Sequence, residues 1–215
     1  MGGMRNWVDW HLGYDDPASA LSARLECIRA HLRRALDDAP AGPLRLVSLC
    51  AGQGRDVLAV LPRHERRDDV AALLVELDSR NAGLAWRTAA EAGLDQVQVR
   101  EADAGLVANY ADYLPADILL LCGIFGNVSD ADIERTIKAA PALCAPGATV
   151  LWTRHRRAPD RTPSLRAWFA QAGFDEVAFD SLDTETLTGV GVNRLSRPVV
   201  PVALPANPLF TFGTG

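Results

Sequence analysis

The sequence predicts an α/β protein: a doubly wound, mostly parallel seven-stranded sheet that closes in a C-terminal antiparallel hairpin, with helices on both faces. Three observations predict it. Apolar runs of strand length alternate with segments of helical period along most of the 215 residues, the pattern of strands joined by right-handed crossovers. The first run, ending at Leu49, breaks abruptly into Cys50-Ala51-Gly52-Gln53-Gly54, where glycine lets the backbone turn sharply and come close to a ligand. The last two β-like runs are joined by a loop too short for a helical crossover, so they must pair antiparallel.

The elements follow in order. From Pro17 to Asp38 the residues Leu21, Leu25, Ile28, Leu32 and Leu36 recur at spacings of four, three, four and four, which lines one helical face. Asp16 is placed to cap this helix, and Pro17 suits its first turn because the missing N–H would have had no partner there. Strands are expected at about 44–50, 70–76, 96–101, 117–122 and 148–153, with helices near 54–62, 79–92, 105–113 and 129–144. Ser129 with Asp132 reads as a capping box, ahead of a stripe of Ile133, Ile137, Ala140 and Cys144. Pro141 is expected to shorten or kink that helix. Thr162-Pro163 opens a further helix that Gly173 ends, and the runs 176–182 and 188–195 make the hairpin. Beyond it, a proline-rich tail is expected to lie extended over the surface or against a partner subunit. The segments read as an N-terminal helical lid (1–40), a cofactor-binding core (41–197) and the tail (198–215).

Composition bounds the class. A hydrophobic content of 48% with 23% charged residues describes one globular domain with a sizeable core. There is no run of about 18 apolar residues and no signal-like opening stretch, so a soluble, cytoplasmic protein without membrane contacts is expected. A net charge of −5 argues against a nucleic-acid partner, since phosphate contacts draw on many cations. The basic run Arg154-His-Arg-Arg-Ala-Pro-Asp-Arg161 is the local exception, either an anion site or a solvated loop. Cys27, Cys50, Cys122 and Cys144 are scattered without metal-ligand spacing and read as buried thiols, with no metal implied.

The acidic residues downstream of the glycines indicate the ligand. The second strand ends in Glu76-Leu77-Asp78, roughly 20 residues beyond the glycine turn, where a carboxylate grips a ribose diol. A nicotinamide site would need a third glycine where Val57 stands. From about residue 44 to 196 the chain resembles the class I S-adenosylmethionine-dependent methyltransferases. The resemblance implies that Cys50, Ala51, Gly52 and Gly54 lie beneath the methionine part of the cofactor, that Glu76, with Leu77 beside it, holds the ribose hydroxyls, and that Asp103, followed by Ala104, faces the adenine amino group. The fourth strand would end at Cys122 and Gly123 beside the methyl group. Cys50 stands where the family usually has its first glycine, and Ser48 replaces a common acidic residue of the first strand.

The acceptor side is read from two places. Trp7, Trp10, His11 and Tyr14 share one face if the N-terminus is helical; the resemblance implies a leading segment over the cofactor cleft, with Tyr14 toward the cofactor, the tryptophans toward the substrate and His11 a candidate base. Alternatively, these aromatics merely dock the segment. At the end of the fifth strand His155 is the other candidate base, with Arg154 and Arg156 able to hold an anionic substrate group. Phe125 and Asn127 are expected in the acceptor pocket. No Asp/Asn-Pro-Pro-Tyr/Phe signature or acidic metal cluster resembling other methyltransferase classes is present. The expected activity is methyl transfer to an oxygen or nitrogen of a small molecule; the alternative is a protein that binds the cofactor without methylating. A homodimer is left open.

Overall fold

The computed structural model describes residues 14, 16, 19–182, 187–197 and 203–212. Its seven strands are β1 (Leu44–Leu49), β2 (Val70–Glu76), β3 (Val97–Glu101), β4 (Ala116–Leu121), β5 (Cys144–His155), β6 (Phe174–Leu182) and β7 (Thr188–Leu195), arranged in the order β3-β2-β1-β4-β5-β7-β6. β1 to β5 pair parallel, while β7 runs antiparallel to both β5 and β6. The helices are α1 (Ala20–Asp38), α2 (Val57–Val60), α3 (Ser79–Glu91), α4 (Asp130–Leu143) and α5 (Thr162–Gln171).

Period-two alternation along the strands divides the core into two layers. Leu46 of β1 with Ile118 and Leu120 of β4 face the layer covered by α1, α2 and α3. Val47 and Leu49 with Leu119 and Leu121 face the layer under α4 and α5. Central parallel strands buried on both faces need such continuous apolar runs, and β4 supplies one.

Where element bounds depart from the sequence expectation, local chemistry accounts for it. α1 is capped by Ser19, whose Oγ accepts from Ser22 N at 3.0 Å, and the Asp16 carbonyl accepts from Ser19 N at 3.0 Å and from Ser22 Oγ at 2.7 Å. Pro17 lies outside the described residues. α2 is reduced to one turn, continued by a 3-10 turn over Leu61–Arg63, because Gly54 is held at φ +66°, outside the helical range. The helix expected at 105–113 is two 3-10 turns, Val107–Asn109 and Ala111–Tyr113. Its buried residues Val107 and Tyr110 are three apart, a spacing that a three-residue turn places on one side.

Ser129 caps α4 by accepting from Asp132 N at 3.1 Å, but the Asp132 carboxylate bonds Arg135 instead of returning to Ser129. α4 runs through Pro141 and stops at Leu143. Cys144 is therefore the first residue of β5, which starts four residues before the run expected at 148.

The largest correction concerns the tail. Leu209 and Phe210 are buried to 0% and 1% exposure and belong to the α4/α5 layer. Leu209 N donates to Gly105 O at 2.8 Å, and Arg135 Nε and Thr136 Oγ1 donate to Leu209 O at 3.0 and 3.2 Å. Proline explains why no helix or strand forms here, but hydrogen bonds to side chains and loops serve the backbone equally well.

Trp152 of β5 is fully buried, stacks on Phe169 at 5.7 Å and donates from Nε1 to Asn193 Oδ1 at 2.8 Å. Gly191 of β7 makes room for it: a Cβ there would lie 2.1 Å from Trp152 Cε2. Gly191→Ala is expected to cost about 1–3 kcal/mol by overpacking. The readout is a lower urea midpoint with an unchanged slope.

Candidate functional site

The strand register gathers the predicted residues at one edge of the sheet. β1 pairs with β2 from Leu44↔Val70 to Leu49↔Val75, and β2 pairs with β3 up to Glu76↔Glu101. The turn after β1, the Glu76-Leu77-Asp78 tip and the loop after β3 therefore emerge side by side. They lie at the carboxyl ends of the strands, next to the β1/β4 junction where the strand order reverses, which is the ligand position of open α/β sheets.

A cavity of about 650 Å³ opens there, within the range of about 300–1,000 Å³ typical of small-molecule sites. Of the predicted residues, Tyr14, Cys50, Ala51, Gly52, Glu76 and Leu77 line it, together with Asp103, Ala104, Cys122, Gly123 and Asn127.

The turn is built from left-handed residues: Cys50, Gly52 and Gly54 have φ of +53°, +58° and +66°. Glu76 braces it, its two carboxylate oxygens accepting from Gly52 N at 2.7 Å and Asp78 N at 2.8 Å. Asp103 accepts from Gly105 N through Oδ1 at 2.8 Å, and its side chain is otherwise exposed toward the cavity. Burial, and then the carboxylates of Glu76 and Asp103, push the Cys50 thiol far above its ordinary range. It is a neutral, compact wall and not a nucleophile. A Cβ on Gly123 would meet no protein atom within 4 Å, so that position borders open space.

The cavity is also lined by Arg24 and Arg55, basic residues that the sequence did not reveal. Arg24 of α1 and Arg55 stand with their guanidinium carbons 5.8 and 5.6 Å from the Tyr14 ring centroid, a cation–π distance, and Arg24 also donates to the Tyr14 hydroxyl. Burial raises the Tyr14 pKa despite Arg24. Asp56, buried beside them, caps α2 through Val57 N at 2.8 Å, and burial holds its carboxyl above the usual range. Arg55 Nε donates to Gln53 Oε1 at 2.9 Å, and Gln53 Nε2 donates to Asn81 Oδ1 at 3.2 Å, tying the turn to α3. Phe212 of the tail completes the wall.

Other predicted residues are elsewhere. Gly54 sits under the turn, where a Cβ would meet Leu74 Cδ1 at 2.8 Å and Leu58 Cδ1 at 2.9 Å; it permits close helix–sheet packing and does not line the cavity. Phe125 is fully buried with its ring 6.3 Å from that of Trp152, so it is core and not acceptor wall. Arg154 donates to Phe125 O, fixing the 123–127 loop from behind. Arg156 pairs with Asp160 at 3.5 Å, and Arg161 with Asp130 at 3.0 Å, so two of the four arginines of the basic run are engaged by neighbouring carboxylates. His155 adjoins that loop without lining the cavity: a Cβ on Gly126 would lie 3.6 Å from its Cδ2. Its Nδ1 is buried with no hydrogen-bond partner among the described residues. Trp7, Trp10 and His11 lie outside the described residues.

Gln53 could have been found in the sequence as the middle of the glycine turn. Arg24, Arg55, Asp56 and Asn81 carry no local signal, since helical periodicity reports the core face and not the cavity edge. Phe212 was missed because a proline-rich stretch gives no register.

No protein-family profile matches the chain, and comparison with curated proteins gives no match. Many solved structures share its architecture. It is similar to magnesium protoporphyrin IX methyltransferase from Synechocystis PCC 6803 with bound SAM, at a TM-score of 0.66 and 12% identity, with 89% of this chain and 92% of that one covered. An O-methyltransferase family protein from Burkholderia thailandensis gives 0.60 at 16% identity over 81% of this chain, and the CurJ carbon methyltransferase gives 0.62 at 12% over 80%. The chain spans 59% and 54% of the lengths of those two proteins. The fold is that of the class I methyltransferases, as the sequence predicted.

Proposed function

We propose that the protein is an S-adenosylmethionine-dependent methyltransferase acting on an oxygen or nitrogen of a small molecule. The observation that carries this reading is one cavity at the strand ends lined by the carboxylates of Glu76 and Asp103, at the tips of adjacent strands, and by the guanidiniums of Arg24 and Arg55, with Asp56, Asp78 and Arg80 also in its wall. That layout suits a ligand with a diol and an amino-bearing base at one end and an amino-acid group at the other. Glu76 holds the diol, Asp103 accepts from the exocyclic amine, and the arginines take the carboxylate. When bound, this cofactor supplies a methyl group activated by a positive sulfur.

The chain's own residues position and enclose. Well-oriented reactants gain about 7–11 kcal/mol from alignment alone, whereas a general base adds about 10²–10⁴-fold. The acceptor site lies at the ends of β4 and β5, where Gly123 leaves space and Asn127 anchors the loop by donating from Nδ2 to Gly123 O at 2.7 Å. The chain's net charge of −5 favours a small acceptor over a nucleic acid.

His155 is the base of this proposal, acting from the acceptor side beside Gly126 and outside the wall of the cofactor cavity. Burial, then the charges of Arg154 and Arg157, hold it below its ordinary value of 6.5, so the ring is neutral at pH 7 and able to take a proton. The sign is definite: activity is full above that depressed pKa and falls as pH drops through it, which places the acid limb of kcat/KM below pH 6.5. In His155→Asn the limb should vanish together with about 10²–10⁴-fold in rate; an unchanged profile would leave positioning as the whole of catalysis.

Calorimetry with S-adenosylhomocysteine tests the cofactor, and release of that product in a screen of candidate metabolites tests the acceptor. No binding by the wild-type protein overturns the proposal. Binding without methyl release from any acceptor would instead favour a non-methylating binder.

A further inference from the structure

Away from the cavity, three side chains that the sequence leaves far apart converge between α1 and the edge strand β6. Cys27 and His31 stand one helical turn apart on α1, and Asp180 comes from β6. His31 Nε2 lies 2.5 Å from Asp180 Oδ2, and the Cys27 thiol also hydrogen-bonds Asp180. One ligand atom from each of the three falls within 4.8 Å of the other two.

We propose that Cys27, His31 and Asp180 form a divalent metal site of the zinc type, which fastens α1 to the sheet edge. The donor set fits: a thiolate, an imidazole nitrogen and a carboxylate oxygen are the three ligand classes zinc takes. Bonds of about 2.0–2.3 Å in a tetrahedron put neighbouring ligand atoms roughly 3.3–3.8 Å apart. The cluster reaches this by closing its long side and opening its short one by about 1 Å each, within the reach of rotamer adjustment. His31 is 8% exposed at its side chain and Asp180 is 45% exposed, so the imidazole is fixed while the carboxylate side stays wet. Water supplies the fourth ligand there.

On binding, the sulfur–hydrogen bond is exchanged for a sulfur–metal bond and its proton leaves to solvent. Asp180 gives up its hydrogen bond with His31; the Nε2 proton that made it is lost to solvent, and the ring ligates the ion through the freed Nε2 lone pair as the neutral imidazole protonated on Nδ1. No redox step is involved. The thiolate and carboxylate balance the dication, and Arg34, whose charge acts on Cys27, opposes it.

Scattered cysteines without metal-ligand spacing gave no sign of this site, because the third ligand lies 149 residues from His31. Its consequence reaches the cavity through α1, which carries Arg24, Leu25 and Ile28 on the cavity wall. The inference does not depend on what that cavity binds.

The test is titration of the metal-free full chain with Co²⁺, followed by competition with Zn²⁺. The expected result is a saturable one-to-one complex with a thiolate-to-cobalt charge-transfer band that Zn²⁺ abolishes. The band should be missing in Cys27→Ser and retained in Cys144→Ala, a cysteine of the opposite core layer. Asp180→Asn, at a half-exposed position, should weaken binding beyond the about 10–100-fold that outer-shell changes cost. With Zn²⁺ at about 100 times its dissociation constant, the folded-to-unfolded ratio should rise about 100-fold in the wild type. No saturable complex in the wild type overturns the proposal, and so does a thiolate band that survives Cys27→Ser.

Discussion

Replacing Glu76 by alanine should abolish measurable cofactor binding at concentrations that saturate the wild type. Two losses combine. The carboxylate now accepts from Gly52 N and Asp78 N at 2.7 and 2.8 Å, holding the glycine turn against the tip of β2, and in the proposed complex it also accepts from ribose hydroxyls. Hydrogen bonds to a charged group are worth about 1.5–3 kcal/mol each, and about 1.4 kcal/mol is tenfold in affinity. Loss of the ribose contacts and of the braced turn together predicts a decrease of about 100-fold or more for S-adenosylhomocysteine. Glu76→Gln should fall between, because its amide offers one acceptor and presents a donor to the second N–H. Calorimetry with both variants, and a urea titration to show that they remain folded, checks this. Unchanged affinity in Glu76→Ala would remove the carboxylate from the site.

The sheet was legible because its signals are local and redundant. Each central strand is an apolar run bounded by turn chemistry, and Leu46, Val47 and Leu49 need only period two to find their layers. The antiparallel end was legible for a topological reason, the short connection between β6 and β7. The segment at 105–113 was not, since Val107 and Tyr110 are too few to distinguish a helix from a tighter turn. The tail packs against the start of this segment, where a Cβ on Gly105 would lie 2.4 Å from Phe210 O. No pattern within the segment encodes a neighbour a hundred residues away.

The candidate site divides along the same line. Glu76 and Asp103 were readable because register alone brings strand ends together. Phe125 misled because a residue after a strand end can turn inward, and here the Trp152 cluster claims it. Arg24, Asp56 and Asn81 depend on how α1 and α3 pack across the turn, which periodicity does not specify. The same limit hid Cys27, His31 and Asp180, each unremarkable in its own element.

Phe210→Ala should be the most destabilising single substitution in the tail, and it tests whether this segment is structure or ornament. The ring is 1% exposed, in the layer that holds Tyr110, Ile133 and Ile137, and it meets Phe212 edge-on at 5.9 Å. Truncating a buried phenylalanine costs about 3–5 kcal/mol, part of it for the cavity left behind. A protein of this size has about 5–15 kcal/mol in all, so the variant should fold with a markedly lower urea midpoint. Cofactor affinity should fall with it, because Phe212, two residues on, lines the cavity. Phe212→Ala separates the two effects. That ring is 40% exposed, so its removal should leave the urea midpoint nearly unchanged. It still takes an aromatic face from the wall near the Asp103 turn, and base–aromatic stacking is worth about 1–3 kcal/mol. If Phe210→Ala unfolds at the wild-type midpoint, the tail's packing is not what holds the 105–113 turns in place; if Phe212→Ala binds S-adenosylhomocysteine as tightly as the wild type, its ring is no part of the cofactor's enclosure.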